Sequence, residues 1–273
     1  MEGGIPVLVV SDLEMLSDIL IKKFNCFHAR KGGSKGIHMF LANGLRWKRL
    51  RSISAPAFST VRLKQVYTLD SDQTIMKKLF PEVGQKMFME NNALSYAIYE
   101  LARHPEIQEK LRSEIMDYHK NEKPSYESVQ RMVYLDCVIR ETLRLYPVAS
   151  GVVNRRCMQT CTTGGFTIEK GMNVVVDVWS IHYNKDIWGP DADEFVPEHQ
   201  LDSLHPLAWI PFGAGPRRCI GERFALLEMK LTLARLLRKY RIFINDQTEV
   251  PLKLQEGMTN TPRNGVVLSL KLI

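Results

Sequence analysis

The chain has 273 residues, which is enough for one large or two modest domains with a sizeable core. Hydrophobic residues make up 45% and charged residues 25%, as expected for a soluble globular chain. The net charge is +7, but the basic residues are dispersed and form no polybasic block or nucleic-acid motif. A solvated basic surface is therefore preferred over a nucleic-acid or anionic-membrane surface.

Cysteine usage and hydropathy limit the class of protein further. Five cysteines, an odd number without regular spacing, argue against a disulfide framework and for a reducing compartment. Cys157 and Cys161 have a poor spacing for zinc and are interpreted as structural or exposed thiols. No signal peptide is recognisable, no apolar run is long enough to span a membrane, and a predicted strand follows Met1-Glu-Gly-Gly directly.

The first predicted elements are a strand and a helix. Residues 6–10 form a short apolar run rich in β-branched side chains, which predicts a strand. The segment Ser11-Asp-Leu-Glu14 predicts a capping box that opens a helix with Leu13, Leu16 and Leu20 on one face.

A second helix is predicted over residues 45–51 and carries Trp47 and Arg51. These two side chains share a helical face, because they are one turn apart. Their indole N–H and guanidinium groups are both donors, which suits a carboxylate ligand. Taken alone, the pair is more commonly a surface cation–π contact.

Helices dominate the middle of the chain. Residues 70–86 are poorly periodic, whereas residues 94–101 predict a helix that stops near His104-Pro105, and another begins at about Pro105. Residues 134–146 predict an amphipathic helix that Pro147 ends. Within it Glu141 and Arg144 lie on one face, where an ordinary exposed ion pair is the simplest interpretation.

Strands are predicted in the second half of the chain. Residues 166–171 and 173–178 are interpreted as the two strands of a hairpin, and residues 251–254 and 265–272 as further strands.

The most informative segment is the loop Phe212-Gly-Ala-Gly-Pro-Arg-Arg-Cys219-Ile-Gly221, which a helical pattern follows at once. The loop is expected to bring the Cys219 sulfur and several backbone N–H groups to a helix N-terminus, where a thiolate is favoured over a thiol. A thiolate can serve as nucleophile, zinc ligand or haem-iron ligand. Zinc is disfavoured because no paired Cys or His is near, whereas a nucleophile is only weakly excluded.

The whole string matches Phe-x-x-Gly-x-Arg-x-Cys-x-Gly, with Ala225 at the expected place after it, and resembles the haem-binding loop of the cytochrome P450 family. The resemblance implies that Cys219 is the axial ligand of the haem iron. It further implies two groups of cofactor-binding residues. The first lies in the cysteine loop and the helix after it and comprises Phe212, Gly213, Arg217, Gly221 and Ala225. The second matches propionate-binding positions of the family and comprises Trp47, Arg51, Arg30 and Arg155.

The helix with Glu141 and Arg144 resembles a second hallmark of the family, Glu-x-x-Arg followed by Leu-Tyr-Pro. In the family this is a buried structural pair whose third partner comes from a Phe-x-Pro-x-Arg segment. Here that segment reads Phe195-Val-Pro-Glu-His199, so His199 replaces the arginine and is expected to donate to Glu141 less rigidly.

One departure concerns oxygen activation. The family's long central helix carries Ala/Gly-Gly-x-Asp/Glu-Thr, and no such motif stands anywhere in this chain. At the matching place residues 86–93 read Lys-Met-Phe-Met-Glu-Asn-Asn-Ala, so no residue is assigned a catalytic role. Several helices of the family between Trp47 and this point are also missing.

The resemblance implies a mostly α, α+β fold: a single shortened cytochrome P450-like domain over residues 1–273. Residues 1–80 would be its N-terminal part and residues 93–273 its haem-binding part. The implied function is that of an oxidoreductase, a haem-thiolate monooxygenase that inserts one atom of O2 into a small lipophilic substrate. Two alternatives stay open: a catalytically impaired haem-binding fragment, and a non-enzymatic interaction protein, from a splice variant or gene model.

The implied cofactor is haem b, iron protoporphyrin IX, with NADPH acting indirectly through NADPH–cytochrome reductase. Arg218, Arg223 and Lys230 are expected to help attract that acidic partner. The resemblance implies the cytosolic face of the endoplasmic reticulum membrane with peripheral membrane contact. The lack of an anchor leaves a cytosolic location open, and no nucleic-acid partner is expected.

Overall fold

The computed structural model describes residues 4–32, 38–63, 92–118, 123–199 and 203–273. The chain falls into two compact units, each assembled from separate stretches of sequence. The first unit comprises Met1–Ser59, Ala149–Asp193 and Gln200–Ile220, and the second comprises Thr60–Val148, Glu194–His199 and Gly221–Ile273. The single-domain hypothesis for residues 1–273 stays a prediction.

Helices account for most of the regular structure, and the prediction of a mostly helical α+β fold with small sheets is confirmed. The α-helices are α1 Leu13–Ser17, α2 Gly44–Ser54, α3 Asn92–Arg103, α4 Pro105–Tyr118, α5 Tyr126–Arg131, α6 Val133–Leu145, α7 Val178–His182, α8 Lys185–Trp188 and α9 Glu222–Lys239. The strands are β1 Val7–Val10, β2 Asn154–Arg156, β3 Cys161–Thr163, β4 Phe166–Ile168, β5 Asn173–Val176, β6 Tyr240–Phe243, β7 Leu254–Gln255, β8 Thr261–Pro262 and β9 Ser269–Leu272.

The first unit is built on a three-stranded sheet in the order β1-β5-β2. β1 runs parallel to β5, with Val7 opposite Asn173 and Val10 opposite Val176, whereas β2 runs antiparallel to β5. The apolar strand residues pack against α1 and the π-helical turn that continues it over Asp18–Lys22. The resulting core contains Val10, Leu16, Ile19, Leu20, Phe27, Val153, Val174, Val176, Ile181 and Ile210.

Two local predictions in this unit are corrected. Asp12, and not Ser11, caps α1, because its carboxylate accepts from the Met15 N–H at 2.7 Å. The predicted hairpin of residues 166–171 with 173–178 does not form. β4 pairs with β3 across Gly164 and Gly165, whose φ angles of 56° and 77° suit a two-residue turn, and β5 joins the other sheet.

The second unit is a helical assembly in which α9 contacts α3, α4, α5 and α6. α3 is buried on every side, with Asn92 and all residues from Leu94 to Ala102 inside. Residues 70–86 lie outside the described residues. Of the predicted strand 251–254 only Leu254 lies in a strand, β7, and of the predicted strand 265–272 only Ser269–Leu272 forms β9. Gly265, with a φ of 75°, donates its N–H to the Pro262 carbonyl and so belongs to a turn before β9.

Hydropathy along the helices gives one further result. Within the described ranges, no helix combines the length and the apolar character needed to cross a bilayer.

Candidate cofactor-binding site

The cysteine loop belongs to the first unit and is shaped by two glycines. Gly213 and Gly215 have φ angles of 70° and 68°, in the left-handed region. At Gly215 an added Cβ would lie 2.0 Å from the Leu20 carbonyl oxygen, so the loop passes closer to the π-helical turn than any side chain allows. The loop therefore requires glycine there for its close packing as well as for its backbone angle.

Cys219 is held at the end of this loop by backbone hydrogen bonds. Its N–H donates to the Phe212 carbonyl at 2.9 Å, and the Arg218 N–H donates to the Gly215 carbonyl at 2.9 Å. The Cys219 residue is exposed. Gly221 follows as the N-cap residue of α9, and its carbonyl accepts from the Ala225 N–H at 2.9 Å. In the sequence, Cys219 thus stands three residues before Glu222, the first residue of α9.

Arg217 ties the loop to the segment before α2. Only 4% of Arg217 is exposed, and its guanidinium donates to the carbonyls of His28 at 3.0 Å and Ala42 at 2.6 Å. It also donates to the Asn43 side-chain oxygen at 3.3 Å. Burial, together with the charges of Arg30 and Arg51, lowers the pKa of Arg217 to about 10.

Arg30 approaches the same loop from the N-terminal side. It donates to the carbonyls of Val152 and Arg217, and its guanidinium lies 4.3 Å from the Phe40 ring centroid. Burial lowers the pKa of Arg30 to about 10, although the Cys219 sulfur acts in the opposite direction. Arg30 and Cys219 therefore lie close enough to interact electrostatically.

Arg155 completes the cluster from β2. It is 1% exposed and donates to the carbonyls of Asn154 at 2.8 Å and Ala214 at 3.2 Å. Burial, together with repulsion from Arg30 and Arg217, lowers the pKa of Arg155 to about 9. Three guanidinium groups from distant parts of the sequence thus meet around one loop.

These three groups, here called the arginine cluster (Arg30, Arg155 and Arg217), fit the carboxylate side chains of a haem. Among the described residues, none of the three forms a salt bridge with a carboxylate, and the Nε atoms of Arg30 and Arg155 are buried without a hydrogen-bond partner. Buried like charges are costly unless an anion accompanies them. The donor chemistry of the cluster therefore matches a ligand that brings its own carboxylates, and arginine binds carboxylates well.

The two predicted site residues on α2, Trp47 and Arg51, differ in burial and in their contacts. Trp47 is buried against Phe24 and under the Arg217 guanidinium, 4.3 Å from its ring centroid, while Arg51 is half-buried one turn later. The cation–π partner of Trp47 is therefore Arg217 and not Arg51. Arg51 contributes charge to the cluster, since it lowers the pKa of Arg217.

Asn43 is a site residue that the sequence analysis missed. Its side-chain oxygen accepts from the Arg30 backbone N–H at 3.3 Å and from Arg217, so it links two members of the cluster. An asparagine directly before a helix signals an N-cap. Here it occupies the N-cap position of α2 without making a capping bond.

Three of the other cysteines, Cys137, Cys157 and Cys161, have surroundings that disfavour a thiolate. Burial is the leading cause that raises the pKa of Cys137 and Cys157, and it raises the pKa of Cys161 to about 11 together with a hydrogen bond to Cys26. Among the described residues no group of Cys, His, Asp or Glu has the arrangement of a metal site.

The second hallmark lies in the second unit. Arg144 donates to both carboxylate oxygens of Glu141, at 2.8 and 2.7 Å, and to the Glu194 carbonyl at 3.0 Å. His199 Nδ1 lies 3.1 Å from Glu141, whose carboxylate also accepts from the Val196 N–H at 3.0 Å. Glu141 and Arg144 are 4% and 0% exposed. The pair is thus buried and not the ordinary exposed contact that its spacing alone suggests.

A cavity of about 410 Å³ lies in the second unit between α3 and the β7–β8 hairpin. Its lining includes Asn92 and Ser95 of α3 and Met258, Thr259 and Pro262 of the hairpin. The wall mixes apolar and hydrogen-bonding groups. It offers room for a small organic molecule with one or two polar atoms.

The structure separates the three basic residues expected to attract an acidic partner. Lys230 is 5% exposed and pairs with Asp136 at 2.7 Å, so its assignment to a docking surface is wrong. Arg218 and Arg223 are exposed.

Residues 86–91, where the oxygen-activation motif would stand, lie outside the described residues.

Comparison with known proteins adds family evidence. The family model described as "Cytochrome P450" matches residues 91–269. A provisionally named cytochrome P450 of Caenorhabditis elegans, CYP13A5, is 46% identical over 182 residues, which cover 65% of this chain and 35% of the relative. The similar CYP13A3 of the same organism is 45% identical over 183 residues, 66% of this chain and 35% of the relative.

A longer alignment shows that the chain is shorter than the region of the relative that it matches. The provisionally named cytochrome P450 cyp-13B1 of Caenorhabditis elegans is 29% identical over 438 residues, which cover 99% of this chain and 86% of the relative. Because the alignment is longer than the chain's 273 residues, at least 165 of its positions have no counterpart here.

Proposed function

The chain belongs to the cytochrome P450 family, and from that premise we propose that it binds haem b through Cys219 and the arginine cluster. The observation that carries the proposal is the cluster itself. Arg30, Arg155 and Arg217 are gathered around the loop of Cys219, and no carboxylate of the described chain neutralises them. A dianionic cofactor supplies the missing charge.

The residues of the chain would share the work of holding this group. Cys219 supplies the sulfur ligand, and Gly213 and Gly215 give the loop its left-handed turns, with Gly215 also allowing the close approach of the loop to Leu20. The arginine cluster and Arg51 donate to the propionates, and Trp47 fixes the Arg217 guanidinium in one plane. Haem with a thiolate ligand supplies O2 activation for monooxygenation.

The function supported best is that of a haem-thiolate monooxygenase acting on a small lipophilic molecule, with electrons from NADPH through a reductase. The cavity lined by Ser95 and Met258 supports a substrate of modest size with a polar atom. Arg218, which is exposed and adjacent to Cys219 in sequence, would add positive charge to the surface that an acidic redox partner meets. The endoplasmic reticulum membrane is the proposed location.

The experiment that tests this proposal is reconstitution with haem, a P450 reductase and NADPH, followed by product analysis on a panel of lipophilic substrates. Product that depends on both NADPH and the reductase supports a monooxygenase. Haem uptake without product on any substrate leaves the second candidate, a haem-binding protein with impaired turnover. That candidate is favoured by the missing positions and by the absence of the oxygen-activation motif from the sequence.

A further inference from the structure

His182 and Ile210 are joined by a hydrogen bond inside the first unit. The Ile210 backbone N–H donates to Nε2 of His182, 3.1 Å away. His182 is 0% exposed and Ile210 is 2% exposed, so water does not compete for this bond. His182 is the last residue of α7, and Ile210 lies two residues before Phe212, where the cysteine loop begins.

The bond fixes the protonation state of the imidazole. A backbone N–H can only donate, so Nε2 of His182 must carry a lone pair and no proton. The neutral ring then carries its proton on Nδ1. An imidazolium would place two donors against each other in a buried site, which would leave the Ile210 N–H unsatisfied.

His182 is itself held firmly. Asp177 is the N-cap residue of α7, and its carboxylate accepts from the Ser180 N–H at 3.0 Å. Beyond the helix, the Trp188 indole donates to the Ile181 carbonyl at 3.0 Å, and Ile181 is buried in the same core as Ile210. The imidazole is therefore held in place and can position the segment of the same chain that contains Ile210.

Hydrogen bonds run from Ile210 onward to the cysteine. The Ile210 carbonyl accepts from the Gly213 N–H at 3.0 Å, which makes the first turn of the loop. The Phe212 carbonyl then accepts from the Cys219 N–H at 2.9 Å. Ile210 thus has both backbone groups engaged, and its N–H is the one that connects the start of the loop to a distant element.

We propose that His182 is a positioning residue for Cys219: its neutral imidazole anchors Ile210 and thereby sets the entry of the chain into the thiolate loop. The exit of the loop is anchored separately by Arg217. This proposal rests on the proposed function only in assuming that the Cys219 sulfur binds haem iron. The positioning itself is a property of the protein without haem.

The test is hydrogen–deuterium exchange of the full chain without haem, in wild type, His182→Leu and His182→Gln. Leucine removes the acceptor at similar size, whereas the glutamine side-chain oxygen can occupy the place of Nε2. We expect His182→Leu to speed exchange of the Ile210 and Cys219 amides roughly tenfold, because a buried acceptor is lost, and His182→Gln to restore most of the protection.

Val138→Ala, a core truncation on α6 in the other unit, is the stability control. It should leave the Ile210 and Cys219 amides as in wild type. Unchanged exchange in His182→Leu, or equal acceleration in Val138→Ala, would overturn the proposal. If His182→Leu does not fold, nitrogen NMR of wild-type His182 decides instead: unprotonated Nε2 is expected, and a protonated Nε2 contradicts the proposal.

The outcome is separable from that of the proposed function. If exchange behaves as expected but the wild type takes up no haem, the positioning role stands and the haem proposal fails. If the wild type and His182→Leu show the same thiolate spectrum and the same exchange, the haem proposal stands and the positioning role fails.

Discussion

The Arg217 guanidinium lies over the Trp47 indole, with its central carbon 4.3 Å from the ring centroid. One residue belongs to the cysteine loop and the other to α2, so the contact joins the two parts of the first unit that carry the predicted cofactor-binding residues. A planar guanidinium can stack on the ring and still donate in its own plane to the carbonyls of His28 and Ala42.

Arg217→Lys should therefore destabilise the protein even though it keeps the charge. An ammonium cannot reach both carbonyls and stack at once, and buried carbonyls lose their donors. We expect a loss of roughly 2–3 kcal/mol in the free energy of unfolding, measured by urea denaturation without haem. Arg218→Lys, at the exposed neighbouring position, should change it by less than about 0.5 kcal/mol. Equal effects of the two variants would contradict this role.

Glu141→Ala should cost about 3–5 kcal/mol, because it leaves the Arg144 guanidinium buried and unpaired. Although burial alone raises it, hydrogen bonds from Arg144 and His199 lower the pKa of Glu141 below its ordinary 4.5. The stability that this carboxylate adds is thus present above about pH 4.5 and is lost as the pH falls through the lowered pKa.

The measurement is the yield of soluble protein together with urea unfolding, and Glu169→Ala, at an exposed carboxylate, is the control. A Glu141→Ala protein that folds and takes up haem normally, yet fails only in turnover, would show that Glu141 is not structural.

His104 should make the free energy of unfolding fall as the pH rises above about 6.5. A hydrogen bond to Glu100 raises its pKa above the ordinary 6.5, although burial opposes the shift. Since the folded-state pKa is the higher one, the added stability is fully present below pH 6.5 and is lost as the pH rises through the raised pKa.

His104→Gln should flatten the stability profile above about pH 6.5, measured by urea unfolding from about pH 6 to about pH 9. His38→Gln, at an exposed histidine, serves as the matched control for replacing an imidazole by an amide. A His104→Gln profile with the slope of wild type would refute the assignment.

Oxidation should be poorly coupled to NADPH consumption if the chain turns over. The acid and alcohol that organise proton delivery in the family have no counterpart in this sequence, where Glu90 is followed by Asn91 and Asn92. Asparagine amides hydrogen-bond but are poor proton donors. We expect most electrons from NADPH to appear as peroxide or superoxide. Product measured against NADPH consumed decides the matter, and tight coupling would mean that another group replaces the motif.

The sequence predicts the helices of this protein better than its sheets. α3, α6 and α9 are long enough for their apolar period to identify them, and Pro105 and Pro147 mark boundaries that the structure keeps. The local pattern predicts that β5 pairs with the strand just before it in sequence, whereas β5 pairs with Val7–Val10 near the start of the chain. Strand pairing depends on contacts between distant segments, which local patterns do not contain.

The candidate site likewise combines residues that are adjacent in sequence, which can be predicted, with contacts between distant segments, which cannot. The Cys219 loop is contiguous, so its glycines, arginine and cysteine can be read together from one string. The meeting of Arg30 with Arg155, and the bond from Ile210 to His182, join segments far apart in sequence. His182 carries no local signal that separates it from any other histidine, and only its burial and its acceptor role distinguish it.

The central claim, that Cys219 is the sulfur ligand of a bound haem, is tested most directly by the absorbance spectrum of the reduced, CO-treated protein. Wild type, Cys137→Ala and Cys157→Ala should all give the spectrum of a thiolate-ligated haem, because those cysteines lie in other surroundings. Cys219→Ala should lose that spectrum while the protein remains folded. A thiolate-type spectrum that survives in Cys219→Ala would contradict the account.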